Sequence, residues 1–192
     1  MKTHENKKQL SIGFVIDDGL DSTDGVQQHV LTLGSWYEKN GHTVHYFAGE
    51  SNRTDLKNLH VVSRNIRVRF NGNTLTTPLP ASKRVIRKLL KDHPLDVLHV
   101  QMPHSPIMAG RIVRLAHPKT RVVGTFHILP YGKLQALGAK ALGMLLRRNL
   151  RHFDSFISVS PAAQQFARSS FGIDSIVIPN PTNIAAFRAN DS

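Results

Sequence analysis

A buried strand, a polar loop and an amphipathic helix follow one another in residues 11–41, which read SIGFVIDDGLDSTDGVQQHVLTLGSWYEKNG. The apolar run at residues 11–16 predicts the strand. After the loop, apolar side chains recur at helical spacing, at Val26, Val30, Leu33 and Tyr37. Asn40-Gly41 then supplies the helix stop. A strand followed by a loop and a helix is the repeating unit of a parallel α/β sheet.

The same alternation continues along the chain. Further strands are predicted at residues 43–48, 61–62, 66–70, 97–101, 122–127, 156–160 and 176–178. Further helices are predicted at residues 79–90, 105–116, 133–151 and 161–169, with Pro80 in the first turn of one of them. The pattern predicts an α/β fold, a Rossmann-like and mostly parallel sheet with helices on both faces. Ligands of such sheets bind at the carboxyl ends of the strands, so we expect the site in the loops after Ile16, Phe70, Gln101, His127 and Ser160.

The composition is that of a folded, basic chain. It has 192 residues, 25 Lys and Arg against 13 Asp and Glu, and 40% hydrophobic residues, which excludes a disordered polycation. It has no cysteine, which excludes a disulfide scaffold, a thiolate zinc site and a cysteine nucleophile. No apolar run approaches the roughly 18 residues needed to span a bilayer, and we expect a cytoplasmic protein. Residues 97–153 contain no carboxylate side chain. They present either a positive electrostatic field that attracts a phosphate-bearing partner or a solvated basic face with no specific ligand.

The first loop carries aspartates at positions 17, 18, 21 and 24. Their spacing does not match the alternating ligands of a calcium loop, and we expect no metal. The pattern favours a polar turn in which Asp24 caps a helix that begins at Gly25. Because Gly25 has no Cβ, a phosphate would be able to approach the positive end of that helix. Neither a G-x-G-x-x-G fingerprint nor a Walker lysine motif is present.

Six short motifs occur in one order along the chain. They are DGVQQHV at 24–30, GHTV at 41–44, DVLHV at 96–100, GTFH at 124–127, SVS at 158–160 and IPN at 178–180. Together they resemble the amino-terminal domain of GT-B glycosyltransferases of the GT4 family, and most of all the phosphatidylinositol mannosyltransferases. The resemblance implies that residues 1–192 are the acceptor-side Rossmann-like domain and reach the interdomain hinge near 179–192. A carboxyl-terminal donor domain, which we expect to lie outside this chain, would bind most of the nucleotide-sugar.

The resemblance also implies roles at the donor site. Asp24, Gly25 and Val26 would form the donor diphosphate loop, and His127 would be the catalytic residue, near the reacting carbon of the sugar. The donor would be a GDP- or UDP-hexose, bound as a substrate with no tightly held cofactor. The family is retaining and generally lacks a demonstrated enzymic nucleophile, so none is assigned. A histidine that ends a buried strand is alternatively a satisfied polar side chain.

Acceptor contacts are implied for Gln27 and Asn71, although Asn71-Gly72 is equally a tight turn. Three departures from the mannosyltransferases stand out: Asp24 replaces a glycine, Thr76 lies where an arginine holds the inositol phosphate, and Pro181-Thr182-Asn183 alters the hinge. Arg64, Arg67 and Arg69 lie at strand spacing. They would either bind an anionic acceptor or be solvated.

The predicted helix at 133–151 has a basic stripe. Its members are Lys133, Leu137, Lys140, Met144, Arg147 and Arg151, with Arg148 beside them. Basic side chains that reach lipid phosphates while apolar ones dip inward would attach the protein to the inner face of the cell membrane. The alternative is a helix that packs its leucines on the sheet and leaves a charged outer face.

These observations predict the acceptor-binding half of a glycosyltransferase that moves a hexose to a lipid-linked or other anionic acceptor, inactive without its donor domain. A stand-alone, non-catalytic acceptor- or lipid-binding module is the alternative. A nucleic-acid binder is suggested by the formal charge of +12, but no aromatic residues interleave the basic stripe, so no nucleic-acid partner is expected.

Overall fold

A computed structural model describes residues 8–70, 73–105, 107–127, 146 and 148–181. Its strands are β1 Ser11–Val15, β2 Thr43–Ala48, β3 Leu59–Val61, β4 Asn65–Phe70, β5 Asn73–Pro78, β6 Val97–Gln101, β7 Arg121–Phe126, β8 Ser155–Ser158 and β9 Ile176–Val177. Its helices are α1 Gly25–Lys39, α2 Lys83–Asp92, α3 Met108–Leu115 and α4 Pro161–Phe166, which continues as a π-helix over Ala167–Phe171.

Seven strands form one sheet in the order β3-β2-β1-β6-β7-β8-β9. Every pairing within it is parallel, which confirms the predicted Rossmann-like sheet. The chain moves outward from β1 to β3 and then returns to the other side of β1 at β6. This reversal is a topological switch point, and it opens a crevice beyond the carboxyl ends of β1 and β6.

Apolar side chains alternate between the two faces of the sheet. Phe14 packs with Val30 of α1 on one face, and Val15 packs with Ile86 of α2 and Ile112 of α3 on the other. Fully burying one such side chain stabilises the fold by about 1.5–3 kcal/mol. Helices therefore cover both faces, as the sequence predicted, and the strand ends are held in place for the site.

The region between β3 and α2 differs from the sequence prediction. Residues 66–70 were predicted as a short strand of the mostly parallel pattern, and β4 lies there, but it pairs antiparallel with β5 in a separate two-stranded sheet. The predicted helix at 79–90 begins only at Lys83, and Pro80 is not in its first turn. Leu79 instead extends the hairpin, because its N–H donates to the Arg64 carbonyl at 2.8 Å. The backbone is still extended at Ser82, which is the N-cap residue of α2.

Candidate active site

A cleft of about 330 Å³ lies at the switch point. The loops after β1, β6 and β7 and the first residues of α1 form its walls, and its lining includes Asp24, Gly25, Val26, Met102, His127 and Asn180. Gly25 and His127 are 102 positions apart in the chain, and the fold brings them to one cavity. Asn180, from the predicted hinge, joins them.

Asp24 caps α1, as the sequence predicted. Its carboxylate oxygen Oδ1 accepts hydrogen bonds from the backbone N–H groups of Val26 and Gln27, both at 3.0 Å. These are two of the unpaired donors that make a helix amino terminus attractive to anions. The chain's own carboxylate therefore pairs two of the donors at this helix end. Above Gly25 the space is open, since an added Cβ would meet nothing within 4 Å.

The other aspartates of the loop are also bound by backbone donors. Asp17 accepts from the N–H of Ala109 in α3 at 2.8 Å, and Asp18 accepts from the N–H of Gly19 at 2.7 Å. Asp21 accepts from the N–H of Asn52 at 2.9 Å. The pKa values of Asp17 and Asp18 are both raised, mainly because their carboxyl groups are buried. The aspartates thus fold the loop and attach it to neighbouring elements.

His127 directly follows β7 and is a neutral imidazole. Its Nε2 lies 2.7 Å from Oε1 of Gln101, so with the amide in this orientation Nε2 carries the proton and Nδ1 is left as an acceptor. Burial, with a smaller contribution from His29, lowers the pKa of His127 to about 3, while Asp24 acts in the opposite direction. Near neutral pH the side chain is a hydrogen-bonding group and not a proton source.

Two further histidines line up behind His127. The ring of His29 in α1 lies edge-on to it with centroids 4.8 Å apart, and His99 in β6 follows at 6.2 Å from His29. Nε2 of His99 lies 2.6 Å from the Thr125 hydroxyl. Burial lowers the pKa of His99 to about 3 and also lowers that of His29, where the Asn180 side chain works in the opposite direction. Neither nitrogen of His29 has a hydrogen-bond partner of good geometry within the described residues.

Met102 shapes the same cleft through its backbone. It adopts a left-handed conformation with φ of 53° directly after β6, which is strained for a residue with a side chain. Its N–H donates to the Thr125 carbonyl at 2.9 Å, and its own carbonyl accepts from Ser105 at 3.0 Å. These bonds hold the turn in the cleft wall. Sequence reasoning did not identify Met102, His29, His99 or Gln101 as site residues.

The family model described as Glycosyltransferase Family 4 matches residues 23–186, which is most of the chain and includes every residue named in the cleft. The chain belongs to glycosyltransferase family 4.

Curated relatives of this family 4 chain are phosphatidyl-myo-inositol mannosyltransferases. The protein from Mycolicibacterium smegmatis is 28% identical over 181 residues, which are 93% of this chain and 45% of that protein. The protein from Propionibacterium freudenreichii is 29% identical over 189 residues, 93% of this chain and 48% of that protein. The chain thus spans about half the length of the curated relatives it matches.

Solved structures with the same fold include two glycosyltransferases. An α-glucosyltransferase in complex with UDP and a 13-mer DNA is 17% identical with a TM-score of 0.59, over 95% of this chain and 45% of that one. A glycosyltransferase from Rickettsia africae is 14% identical with a TM-score of 0.55, over 96% of this chain and 49% of that one. At these identities the likeness shows the fold, half of a GT-B enzyme, and the DNA belongs to the glucosyltransferase alone.

The predicted acceptor residues of the family 4 chain are only partly described. Gln27 is buried, and its Oε1 accepts from the Ser22 N–H at 2.7 Å, so it supports the aspartate loop. Arg64 is exposed beside β4. The side chains of Arg67 and Arg69, and Asn71 as a whole, lie outside the described residues. Their acceptor roles stay predictions.

The predicted membrane residues divide in the same way. Lys133, Leu137, Lys140, Met144 and Arg147 lie outside the described residues. Arg148 and Arg151 are exposed, whereas Leu146 and Leu150 are buried against Phe126 and Phe166. The leucines at the end of this segment therefore pack into the core. Among the described helices, none has the length and apolar character that crossing a membrane requires.

Proposed function

We propose that this family 4 chain is the acceptor-side half of a retaining glycosyltransferase that moves a hexose from a GDP- or UDP-sugar to a lipid-linked or other anionic acceptor. The observation that carries the proposal is that Gly25, His127 and Asn180 line one cleft at the switch point of the sheet. A donor domain, in this chain's full-length protein or in another chain, would supply the opposite wall.

The chemistry of sugar transfer fits these groups. Negative charge develops on the leaving diphosphate, and preorganised donors and helix dipoles are the usual means of stabilising it. The open face of Gly25 at the start of α1 offers such a position. His127, held through Nε2 by Gln101, would accept a hydrogen bond from a sugar hydroxyl at Nδ1. Its neutral state favours orientation of the sugar over proton transfer.

The lipid part of the proposal rests on two supports. The relatives from M. smegmatis and P. freudenreichii are named for a phosphatidyl-myo-inositol acceptor. In this chain, Arg148 and Arg151 are exposed beside leucines that pack inward, which suits peripheral attachment to an anionic cytoplasmic leaflet. Each such charge near the surface contributes about 1 kcal/mol.

The donor position is tested by amide NMR of the chain titrated with UDP-glucose and with GDP-mannose. We expect the amides of Gly25 and Val26 and the ring signals of His127 to shift together and to saturate. Shifts confined to other surfaces, or none at millimolar sugar nucleotide, would overturn the donor position. Transfer is measured with the chain completed by a donor domain from a family relative. In that completed enzyme, an unchanged turnover number for His127→Ala would show that His127 is not part of the catalytic site.

Membrane attachment is tested separately by co-sedimentation with anionic and neutral vesicles. Replacing Arg148 and Arg151 by Gln removes two charges, worth about 2 kcal/mol, and should weaken binding to anionic vesicles about 30-fold. The matched control is the double Gln replacement of Arg84 and Arg87, two exposed arginines of α2. Equal losses in both double variants, or equal binding to neutral vesicles, would contradict a specific membrane face.

A second candidate, a non-catalytic acceptor-binding module of the same fold, is favoured by the carboxylate of Asp24. It already occupies two backbone donors of α1, so the donor diphosphate would have to displace it. The two candidates differ in one measurement, the affinity of the unmodified chain for a nucleoside diphosphate.

A further inference from the structure

Three histidines meet on the α2 side of the sheet. His45 lies in β2, His60 in β3, and His93 is the C-cap residue of α2. One ring nitrogen from each lies within 4.8 Å of the others. The ring centroids are 4.5 Å apart for His60 and His93, 4.9 Å for His45 and His93, and 5.3 Å for His45 and His60.

The fold explains why these residues converge. β2 and β3 are parallel neighbours with Phe47 opposite His60, and His45 shares a strand face with Phe47 because side chains alternate. Phe47 belongs to the core beneath α2, and α2 ends at His93, where Pro94 follows. The histidine cluster is separate from the donor loop, because α1, which begins in that loop, packs on the opposite face of the sheet.

The cluster has the dimensions of a metal site. Nδ1 of His45 lies 3.1 Å from Nε2 of His60, while two nitrogens bound to a tetrahedral zinc at about 2.0–2.1 Å are about 3.3 Å apart. All three ring nitrogens lie within 4.8 Å of one another, so binding of an ion would draw the more distant ones closer together. Within the described residues, the His45–His60 contact is the one side-chain hydrogen bond that these three rings make.

Burial keeps the rings of His45 and His60 in the uncharged form that imidazole needs in order to bind a metal. Burial, with smaller contributions from His93 and His45, lowers the pKa of His60 to about 4, and burial and His93 also lower the pKa of His45. Both rings are therefore neutral at neutral pH, the state in which imidazole binds metals. Asp92, the neighbouring carboxylate, is exposed and is bound by Lys88.

We propose that His45, His60 and His93 bind one divalent transition-metal ion, with Zn²⁺ as the expected occupant and a water molecule in the fourth position. Three protein ligands and one open position are a common zinc arrangement. The ion would connect the short edge strand β3 and the carboxyl end of α2 to β2. Its binding would stabilise this edge of the sheet, independently of any sugar transfer.

The alternative is a stack of neutral rings on Phe47, whose ring centroid lies 5.0 Å from that of His60. Calorimetric titration of the metal-free chain, purified without a polyhistidine tag, separates the two. We expect one Zn²⁺ per chain, with Tm raised by roughly 5–10 °C at a hundredfold excess of free zinc over Kd. We also expect His93→Gln and His60→Gln to weaken zinc binding at least tenfold.

His117→Gln is the matched control, because His117 is exposed and, like His93, lies between the end of a helix and a proline. It should bind zinc as the wild type does. Co²⁺ added to the wild-type chain should give the intense visible spectrum of a four-coordinate site, a readout that needs no variant to fold. Absence of stoichiometric zinc binding together with a weak six-coordinate cobalt spectrum would overturn the site, as would equal losses in His93→Gln and His117→Gln.

Discussion

Replacing Asp24 by Gly should increase the affinity of the chain for nucleoside diphosphates. The carboxylate accepts from Val26 and Gln27 and places a negative charge in the cleft. Two like charges about 4 Å apart repel by about 1 kcal/mol in water and about 4 kcal/mol at an effective dielectric constant of 20. Because Asp24 is exposed, we use the lower part of this range. A relief of about 1–2 kcal/mol corresponds to roughly 5–30-fold tighter binding.

The cost of this change in folding stability is small. An N-cap Asp replaced by Gly loses a few tenths of a kcal/mol, and replaced by Ala typically about 1 kcal/mol. Asp24→Asn keeps an acceptor oxygen but removes the charge. If charge alone matters, Asp24→Asn and Asp24→Gly should gain equally; if the blocked N–H groups matter, Gly should gain more.

The assay is calorimetric titration of each variant with UDP and with GDP, at low and high salt. Ser160→Gly is the matched control, because Ser160 caps α4 through a bond from the Ala163 N–H at 3.1 Å and does not line the cleft. It should lose a similar amount of stability with no change in affinity. A dissociation constant for Asp24→Gly within twofold of the wild-type value would refute the reasoning, since the freed donors would then not face the ligand.

Two further predictions concern stability. Gly34→Ala should destabilise the fold by about 1–3 kcal/mol in urea unfolding, because the added Cβ would overlap the Tyr46 side chain. Gly25→Ala is the control and should leave stability unchanged, because its Cβ would meet nothing within 4 Å. Equal losses of stability in the two variants would count against this packing. His104 stacks on Phe126, and burial lowers the pKa of His104 from 6.5 to about 4. Between these pH values the unfolded chain binds one more proton than the folded chain, so stability falls as the pH falls, and His104→Phe should remove up to about 1.4 kcal/mol per pH unit from that slope. An unchanged slope of unfolding free energy against pH would contradict the assignment.

Local patterns predicted much of the fold. Alternating strands and helices were enough for the parallel sheet and for the convergence of loops at its carboxyl edge. The cap at Asp24 was also predictable, because capping depends on residues within three positions of one another. The start of α2 was not, since Leu79 bonds to the distant Arg64 carbonyl and the helix begins only after Ser82.

The interior of the site was less accessible to sequence reasoning. Three separate parts of the chain supply His29, His99 and His127, which are 70 and then 28 positions apart. Each of them, taken locally, is one polar residue on an apolar face. Gln101 became a site residue only through its bond to His127. The same holds for His45, His60 and His93, whose intervals of 15 and 33 positions match no metal-binding motif. Such groups are defined by strand order, which periodicity does not reveal.

The β4–β5 hairpin shares no ladder with the seven-stranded sheet in the described part of the chain. The register of the parallel strands is consequently independent of how long this hairpin is or what its tip contains. A family that inherits this plan is able to vary the hairpin while the parallel strands keep their pairing. Residues 64–79 can therefore change in length and sequence between family members without a change in the packing of the seven-stranded sheet.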